Sequence, residues 1–492
     1  MKISKRWKKS FFAFAHIVGI LCLVTAGAML LPIICSLFYG EGDIWALLLT
    51  AGLSAGVGYP MWRFFKSPRE LSPREAFIIA TFGWVIISAI SAIPFVIHGA
   101  IPSYTDAFFE MVSGYTTTGA TILTDIEAMP HGLLLWRSES HLLGGMGFIT
   151  LAIILLPHGM GGLRLFRADA SPGQVVTGER FMARNRDAVV SLWKIYLSVN
   201  LLLICMLLLG GMSLFDSLCH TFGAFPTAGF SPYNASIGHY DNAYFDWVIS
   251  LFMFLGGITF VVFYFIVRRK WKQIFINTEL RWYFMICLFF CAVVSCILWS
   301  HGVYDFSDSV RHGTFQTLSL LTTTGFASQD YEMWPQAAQM FLYTVCFIGA
   351  CAGSTTSGIK IIHYVLLWKF IVAVIKKAFF RPLSVISVRI NNKRIDQMII
   401  NIALCYFIIN FFMIFVGSCF LVLVDDINFD IAMKAIVATL MNIGPSFAEL
   451  GPTDNFSWIS DTGKWYLSFN MLLGRLEMFS ALVLLYPSFW KD

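Results

Sequence analysis

An all-α polytopic membrane protein is what this sequence predicts: two extra N-terminal spans, then four repeated units of span, pore half-helix, glycine loop and second span, arranged pseudo-fourfold around one axis. Three observations predict it. Hydrophobic residues make up 57% of the chain and charged residues 13%, against about 25% charged in a soluble protein. Many segments supply the roughly 20 apolar residues that cross a bilayer. And a short apolar half-helix ending in a glycine among small or hydroxyl residues recurs four times, so the internal repeat governs the architecture.

The elements follow in chain order. MKISKRWKKS is basic, and FFAFAHIVGILCLVTAGAMLLPIICSLF is too long for a signal-peptide core, so it reads as a first span. Residues 1–70 are expected to hold this span and its return. Unit 1 is expected over 71–158, a cytoplasmic linker over 159–186, unit 2 over 187–272, unit 3 with an interrupted second span over 273–380, and unit 4 over 381–492. Basic residues cluster at Lys2–Lys9, Arg63–Arg74, Arg164–Arg186, Arg268–Arg281 and Lys369–Arg394. Alternating spans put every cluster on one side, which the positive-inside rule makes cytoplasmic, with both termini. The opposite loops are acidic, with Glu41, Asp43, Asp106, Glu110, Asp246, Asp425 and Asp454 among their carboxylates, and an acidic vestibule would concentrate cations. The eleven Cys are scattered without a Cys-x-x-Cys pair, which argues for buried small hydrophobes rather than zinc or a disulfide framework.

The repeated segments are FFEMVSGYTTTGAT (108–121), LCHTFGAFPTAGFS (218–231), TFQTLSLLTTTGFA (314–327) and MKAIVATLMNIGPS (433–446). Their glycines, Gly119, Gly229, Gly325 and Gly444, are spaced by 110, 96 and 119 residues. None of these segments can span a bilayer. Non-helical backbone at membrane depth is tolerated only inside protein or beside a wet cavity. A second mark keeps the register. LLGG (142–145), FLGG (254–257), FIGA (347–350) and LLGR (472–475) place a glycine 25, 27, 24 and 30 residues after the loop glycine. Small residues there let helices approach closely.

A dehydrated monovalent cation needs several oxygens, and four extended loops on one axis offer rings of backbone carbonyls. Glycine suits them because inward-turned carbonyls demand φ > 0. The filter residues expected are Thr117, Thr118 and Gly119; Thr227, Ala228 and Gly229; Thr323, Thr324 and Gly325; and Asn442, Ile443 and Gly444. The threonine hydroxyls either add ligands or brace the loops. Each half-helix aims the negative end of its dipole at the site.

On TTTGAT, PTAGFS, TTTGFA and NIGPS, on the interrupted span GACAGSTTSGIK and on the late LLGRLEMF, the sequence resembles the Trk/Ktr/HKT superfamily of cation transporters over nearly its whole length. The first two spans resemble the extra pair of the Trk branch. The resemblance implies a pseudo-fourfold pore in one chain, a homodimer, and a cytosolic nucleotide-binding regulatory subunit, TrkA. In this superfamily four filter glycines go with potassium preference, and serine at the first position goes with sodium permeation. All four positions here are Gly; the fourth strand departs from the threonine pattern with Asn442 and Ile443.

The interrupted span is the second in unit 3. Gly349, Gly353 and Gly358 each disfavour helix by about 1 kcal/mol relative to Ala, and Ser354, Thr355, Thr356 and Ser357 compete for backbone hydrogen bonds. A loop beneath the filter is expected, blocking ions when ordered and clearing the path when displaced; the bland reading is a packing kink. Arg475 takes the place of a small residue in the fourth tetrapeptide, where a charge near the bilayer centre costs about 2.5–3.5 kcal/mol. It is either a structural partner of Glu477 or Glu139 or, as the resemblance implies, an electrostatic barrier below the filter. Lys360 either caps that barrier or pairs with a carboxylate.

Other chemistries fit less well. GSTTSGIK nearly spells a phosphate-binding loop, but Ile359 separates Gly358 from Lys360 and an apolar helix stands where a strand is needed. His141 and His363 lie in spans without an evident ligand pair and read as buried polar histidines. The expected function is potassium uptake across a bacterial inner membrane through a gated, selective pore, driven by membrane potential with or without a coupling ion. The expected ligand is K+, with no organic cofactor; the partners are a second copy, TrkA and membrane lipid, not nucleic acid. The rivals are a sodium-permeable relative, a membrane redox or ATP-using enzyme, and a non-conducting scaffold.

Overall fold

A computed structural model describes residues 5–65, 71–147, 186–379, 388–391 and 393–490. The expected linker, its Arg164–Arg186 cluster and the last part of unit 1 lie outside these, apart from Arg186. The first span runs Ser10–Tyr39 and the second Ile44–Phe64. They cross where Gly19 and Gly58 face each other: a Cβ on Gly58 would meet the Gly19 carbonyl at 2.9 Å, the close approach that small residues permit. Ser54 Oγ donates to the Cys22 carbonyl at 2.8 Å beside this crossing.

Four units follow. Their outer helices include Pro73–Ser91, Arg186–Leu209, Thr278–Ser300 and Gln397–Asp425. Their pore helices are Tyr104–Tyr115, Leu214–Ala224, Phe306–Leu321 and Phe429–Leu440. At 1.5 Å per residue each pore helix reaches only part-way through the hydrocarbon. Three of them start on a side-chain cap, Ser103, Ser213 or Asp305, which accepts from Asp106, Asp216 or Asp308 N–H at 3.4, 3.0 and 2.9 Å. Each helix therefore begins with a carboxylate at its positive end.

The inner helices break, and not only in unit 3. The described unit 1 inner helix is His131–Gly145; in unit 2, Ala243–Gly256 and Phe260–Val267 meet at 96°. In unit 3, Gln336–Val345 stops and Ile361–Phe379 resumes; in unit 4, Asp461–Arg475 is followed by Phe479–Leu485. The sequence predicts a break only in the third. Among the described residues, six helices are long and apolar enough to span, or seven if the bent pair counts as one. One short strand pair among the described residues, Arg389–Ile390 with Lys393–Arg394, is a small addition to the all-α expectation.

The units close into a ring through their outward loops. Ile126 N–H donates to Asn234 Oδ1 (2.9 Å), Gly238 N–H to the Ala327 carbonyl (3.1 Å), Tyr331 OH to the Ser446 carbonyl (2.7 Å) and Phe456 N–H to the Thr121 carbonyl (2.8 Å). These bonds join units 1 to 2, 2 to 3, 3 to 4 and 4 to 1. Sequential units are neighbours, as short connections favour. The N-terminal pair docks on unit 1: Glu41 accepts from His131 N–H at 2.6 Å and Asp43 from Leu133 N–H at 3.1 Å, capping the inner helix.

Candidate functional site: the glycine-loop ring and the loop beneath it

Each pore helix ends in the same way. Thr117, Thr227, Thr323 and Asn442 take left-handed backbone at φ 54°, 57°, 54° and 54°. The following amide closes a six-residue turn: Thr118 to Ser113, Ala228 to Gly223, Thr324 to Ser319 and Ile443 to Ala438, at 2.8–2.9 Å. This is a Schellman termination. Left-handed backbone costs a non-glycine residue about 1–2 kcal/mol, and Asn bears it better than Thr, so the departure at Asn442 suits its place.

The loop glycines follow at φ 82°, 86°, 83° and 92°. Their contacts define the ring. A Cβ on Gly119 would collide with the Ala228 carbonyl oxygen, on Gly229 with that of Thr324, on Gly325 with that of Ile443, and on Gly444 with that of Thr118. Each carbonyl thus sits against the glycine of the preceding unit, and the circuit closes. All four glycines line one outward cavity, with Asp454 at its wall.

The threonine hydroxyls brace rather than stand free. Thr118 Oγ1 pairs with Thr116 Oγ1 at 2.7 Å and accepts from Asn442 Nδ2 at 2.7 Å. Thr324 Oγ1 pairs with Thr322 Oγ1 at 2.7 Å. Two of the left-handed residues meet the interrupted segment of unit 3, and a third meets Arg475 of the unit 4 inner helix. Thr227 Oγ1 donates to Thr355 Oγ1 (3.2 Å), Thr323 Oγ1 accepts from Ser357 N–H (3.0 Å), and Thr117 Oγ1 accepts from Arg475 Nη1 (3.0 Å).

The segment between Val345 and Ile361 is a closed loop. Gly349 N–H donates to the Ile359 carbonyl at 2.9 Å and Ile361 N–H to the Ala350 carbonyl at 3.1 Å, so its ends are tied together. Gly353 and Gly358 have φ 71° and 76°. Thr355 Oγ1 lies within hydrogen-bond reach of the Phe225 and Gly256 carbonyls (3.0 and 2.9 Å), and Ser354 bonds Thr356 and the Cys351 carbonyl inside the loop. Lys360 is buried and donates to the Thr356 carbonyl and hydroxyl and the Ser357 carbonyl, capping the loop itself. Glu279 holds the loop from outside by accepting from Ala352 N–H at 2.7 Å.

Arg475 donates to Thr117 Oγ1, the Thr355 carbonyl, Ser357 Oγ, and the Gly144 and Gly145 carbonyls at 2.5–3.3 Å. One guanidinium therefore joins the left-handed residue of glycine loop 1, the unit 3 loop and the last turn of His131–Gly145. The proposed residues come together as one assembly.

Several of the acidic residues are engaged within the fold, while Asp454 stands at the wall of the cavity that the four glycines line. Glu110 is buried on its pore helix and paired with Arg137, Asp106 pairs with Lys464 (2.6 Å), Asp246 with Arg311 (3.3 Å), and Asp43 and Asp425 serve as caps. Several carboxylates of these loops serve at helix starts, a role that the charge pattern alone cannot distinguish. Arg137 is a further site residue that none of the motifs above includes, although WRSESH (136–141) interrupts an apolar span with charge, the signal that marks an intramembrane polar site. His141 is a satisfied buried histidine, bridging the Gly114 carbonyl (2.7 Å) and Phe230 N–H (3.2 Å).

Residues 51–491 match the family model TrkH, described as a cation transport protein. The chain belongs to the TrkH family. It is 32% identical over 487 residues to the Trk system potassium uptake protein TrkH of Salmonella typhimurium, covering 98% of this chain and 100% of that protein. It is also 32% identical over 484 residues to the Trk system potassium uptake protein TrkG of Escherichia coli, covering 97% and 98%. The crystal structure of the potassium transporter TrkH from Vibrio parahaemolyticus superposes with a TM-score of 0.86 at 29% identity, covering 98% of this chain and all of that one. The TrkH family thus accounts for the whole fold, including the N-terminal pair.

Proposed function

We propose that this chain takes up potassium across a bacterial inner membrane through a gated, selective pore, as a subunit of a Trk system. The closed circuit of glycines and carbonyls carries the reading. Carbonyl rings replace the hydration shell of a monovalent cation, and a side chain at any of the four glycines would enter the next loop's carbonyl. Thr117–Gly119, Thr227–Gly229, Thr323–Gly325 and Asn442–Gly444 are the filter. The loop Gly349–Lys360 with Arg475 is the closed gate, since it bonds the innermost filter residues of units 1 to 3. The pore units take the boundaries given above, both termini are cytoplasmic, the chain works as a homodimer, and a TrkA-type nucleotide-binding subunit displaces the loop. Four glycines favour potassium over the sodium-permeable alternative.

Potassium and sodium flux into proteoliposomes tests this. The native chain should prefer potassium. Gly119→Ser should lower the potassium-to-sodium ratio about tenfold, as loss of roughly 1.4 kcal/mol of discrimination, while the protein still inserts and dimerises. An unchanged ratio removes Gly119 from the filter.

A further inference from the structure

Behind the filter, one position of the pore helix changes character from unit to unit. Seven residues before the left-handed residue stand Glu110, His220, Gln316 and Ala435. His220 Nε2 meets Ser231 Oγ at 3.2 Å, Gln316 Nε2 donates to the Phe326 carbonyl at 3.4 Å, and Ala435 has no polar group to offer. Glu110 does more than any of these. Its Oε1 accepts from Thr121 Oγ1 (2.9 Å) and Arg137 Nε (2.6 Å), and its Oε2 from Ile122 N–H (2.9 Å). Arg137 then crosses to unit 2: Nη1 donates to the Ser231 carbonyl at 3.1 Å, and its guanidinium carbon lies 3.4 Å from the centre of the Phe230 ring. The two side chains are 0% and 1% exposed.

We infer that the Glu110–Arg137 ion pair is a positioning element for ion discrimination, fixing the first glycine loop against the second. Neither belongs to the ring of loop carbonyls, although Arg137 reaches the wall of the cavity that the four glycines line. Glu110 grips the strand two and three residues past Gly119, and Arg137 grips the strand two residues past Gly229. Charge-assisted bonds are about twice as strong as neutral ones, so this tie holds the first two loops together more firmly than a neutral bond would. Selectivity between ions of one charge depends on loops that resist changing their spacing. A pair buried only for stability is readily replaced by neutral groups of like volume; a pair that sets loop spacing is not.

The inference rests on reading the glycine loops as the filter, and the experiment separates the two. Potassium and sodium flux would be compared in proteoliposomes for Glu110→Gln, Arg137→Lys, the double variant Glu110→Gln/Arg137→Met, Thr121→Val and Gly119→Ser. The neutral double variant relieves the unpaired charge that either single loss leaves. It should accumulate in the membrane yet lose about tenfold in potassium-to-sodium ratio, the effect of about 1.4 kcal/mol. Arg137→Lys should recover part of the ratio, and Thr121→Val, which removes one hydroxyl from the carboxylate, should lose about threefold. If Gly119→Ser changes the ratio and the pair's variants do not, the strut is merely structural and the inference is overturned. If no variant changes the ratio, the filter reading fails with it. If every pair variant, Thr121→Val included, fails to accumulate, the pair is a folding element and the inference is likewise overturned.

Discussion

The four glycine loops are near copies of one another, whereas the inner-helix breaks described in units 2, 3 and 4 are not. In the loops, φ at the left-handed residue varies only between 54° and 57° and the closing hydrogen bonds coincide. At the breaks, units 2 and 4 turn within residues 257–259 and 476–478, while unit 3 inserts 346–360. The tetrapeptide glycines expose the difference. A Cβ on Gly144, Gly256 or Gly474 would strike the carbonyl of Tyr115, Phe225 or Leu440, each two residues before its left-handed residue. The fourth, Gly349, instead lies against the Ser357 carbonyl of its own loop. In three units the inner helix seats directly on the pore helix; in the third the loop occupies that seat. On the function proposed above, equal contributions from all sides keep the filter loops alike, whereas a gate needs only one side to move.

The largest effect should come from removing that asymmetry. Deleting Ala350 to Ser357 joins Gly349 to Gly358, whose backbones already touch: a Cβ on Gly358 would lie 3.5 Å from the Gly349 Cα. The shortened chain should leak potassium about 10- to 1,000-fold faster, because a minor open state of roughly 0.1–10% becomes the whole population. It should keep its selectivity and lose its response to a regulatory subunit. Flux at the native rate with the response intact would show that the loop is not the gate.

Arg475→Ala should come next. It removes the shared donor to Thr117, Thr355 and Ser357 and a fixed positive charge from the path. Single-channel recording should find cation flux raised about tenfold or more, the scale of about 1.4 kcal/mol. A well-folded variant with reduced flux would count against the barrier.

The tetrapeptide glycines sharpen the comparison further. Gly144→Ala, Gly256→Ala and Gly474→Ala push a methyl into pore-helix backbone and should each destabilise the fold by about 1–3 kcal/mol, read as a lower thermal midpoint in detergent. Gly349→Ala pushes on the loop alone, so it should raise flux with little change in midpoint. Four equal thermal losses would erase the distinction drawn between unit 3 and the rest.

Thr355→Val should give the smallest change. It removes the hydroxyl that reaches the Phe225 and Gly256 carbonyls, about 1 kcal/mol for a typical hydrogen bond, and so should raise basal flux about fivefold without altering selectivity. A shifted potassium-to-sodium ratio would mean that Thr355 acts on the filter and not on the loop.

Much of this was legible in the amino-acid sequence. The four glycine loops could be found because a backbone at φ > 0 leaves its mark in a single residue type. The third break could be found because Gly353, Gly358 and four hydroxyl residues all oppose helix locally. The breaks in units 2 and 4 could not. FLGGIT and LLGRLEMF are nearly ordinary helix text, and only the seating of Gly256 and Gly474 on a pore helix forces the turn.

What the sequence determined by itself was the membrane-spanning class, the fourfold repeat, the loop glycines and the weak point in unit 3, all of which depend on composition, period and local backbone preference. The tertiary structure alone decided which carbonyl meets which glycine, that Arg475 reaches Thr117, the unit 3 loop and inner helix 1, and that Glu110 pairs with Arg137. These are relations between segments 27 to 358 residues apart. No local preference encodes them; they follow from four similar units closing about one axis, where the space left beside each loop is set by its neighbour.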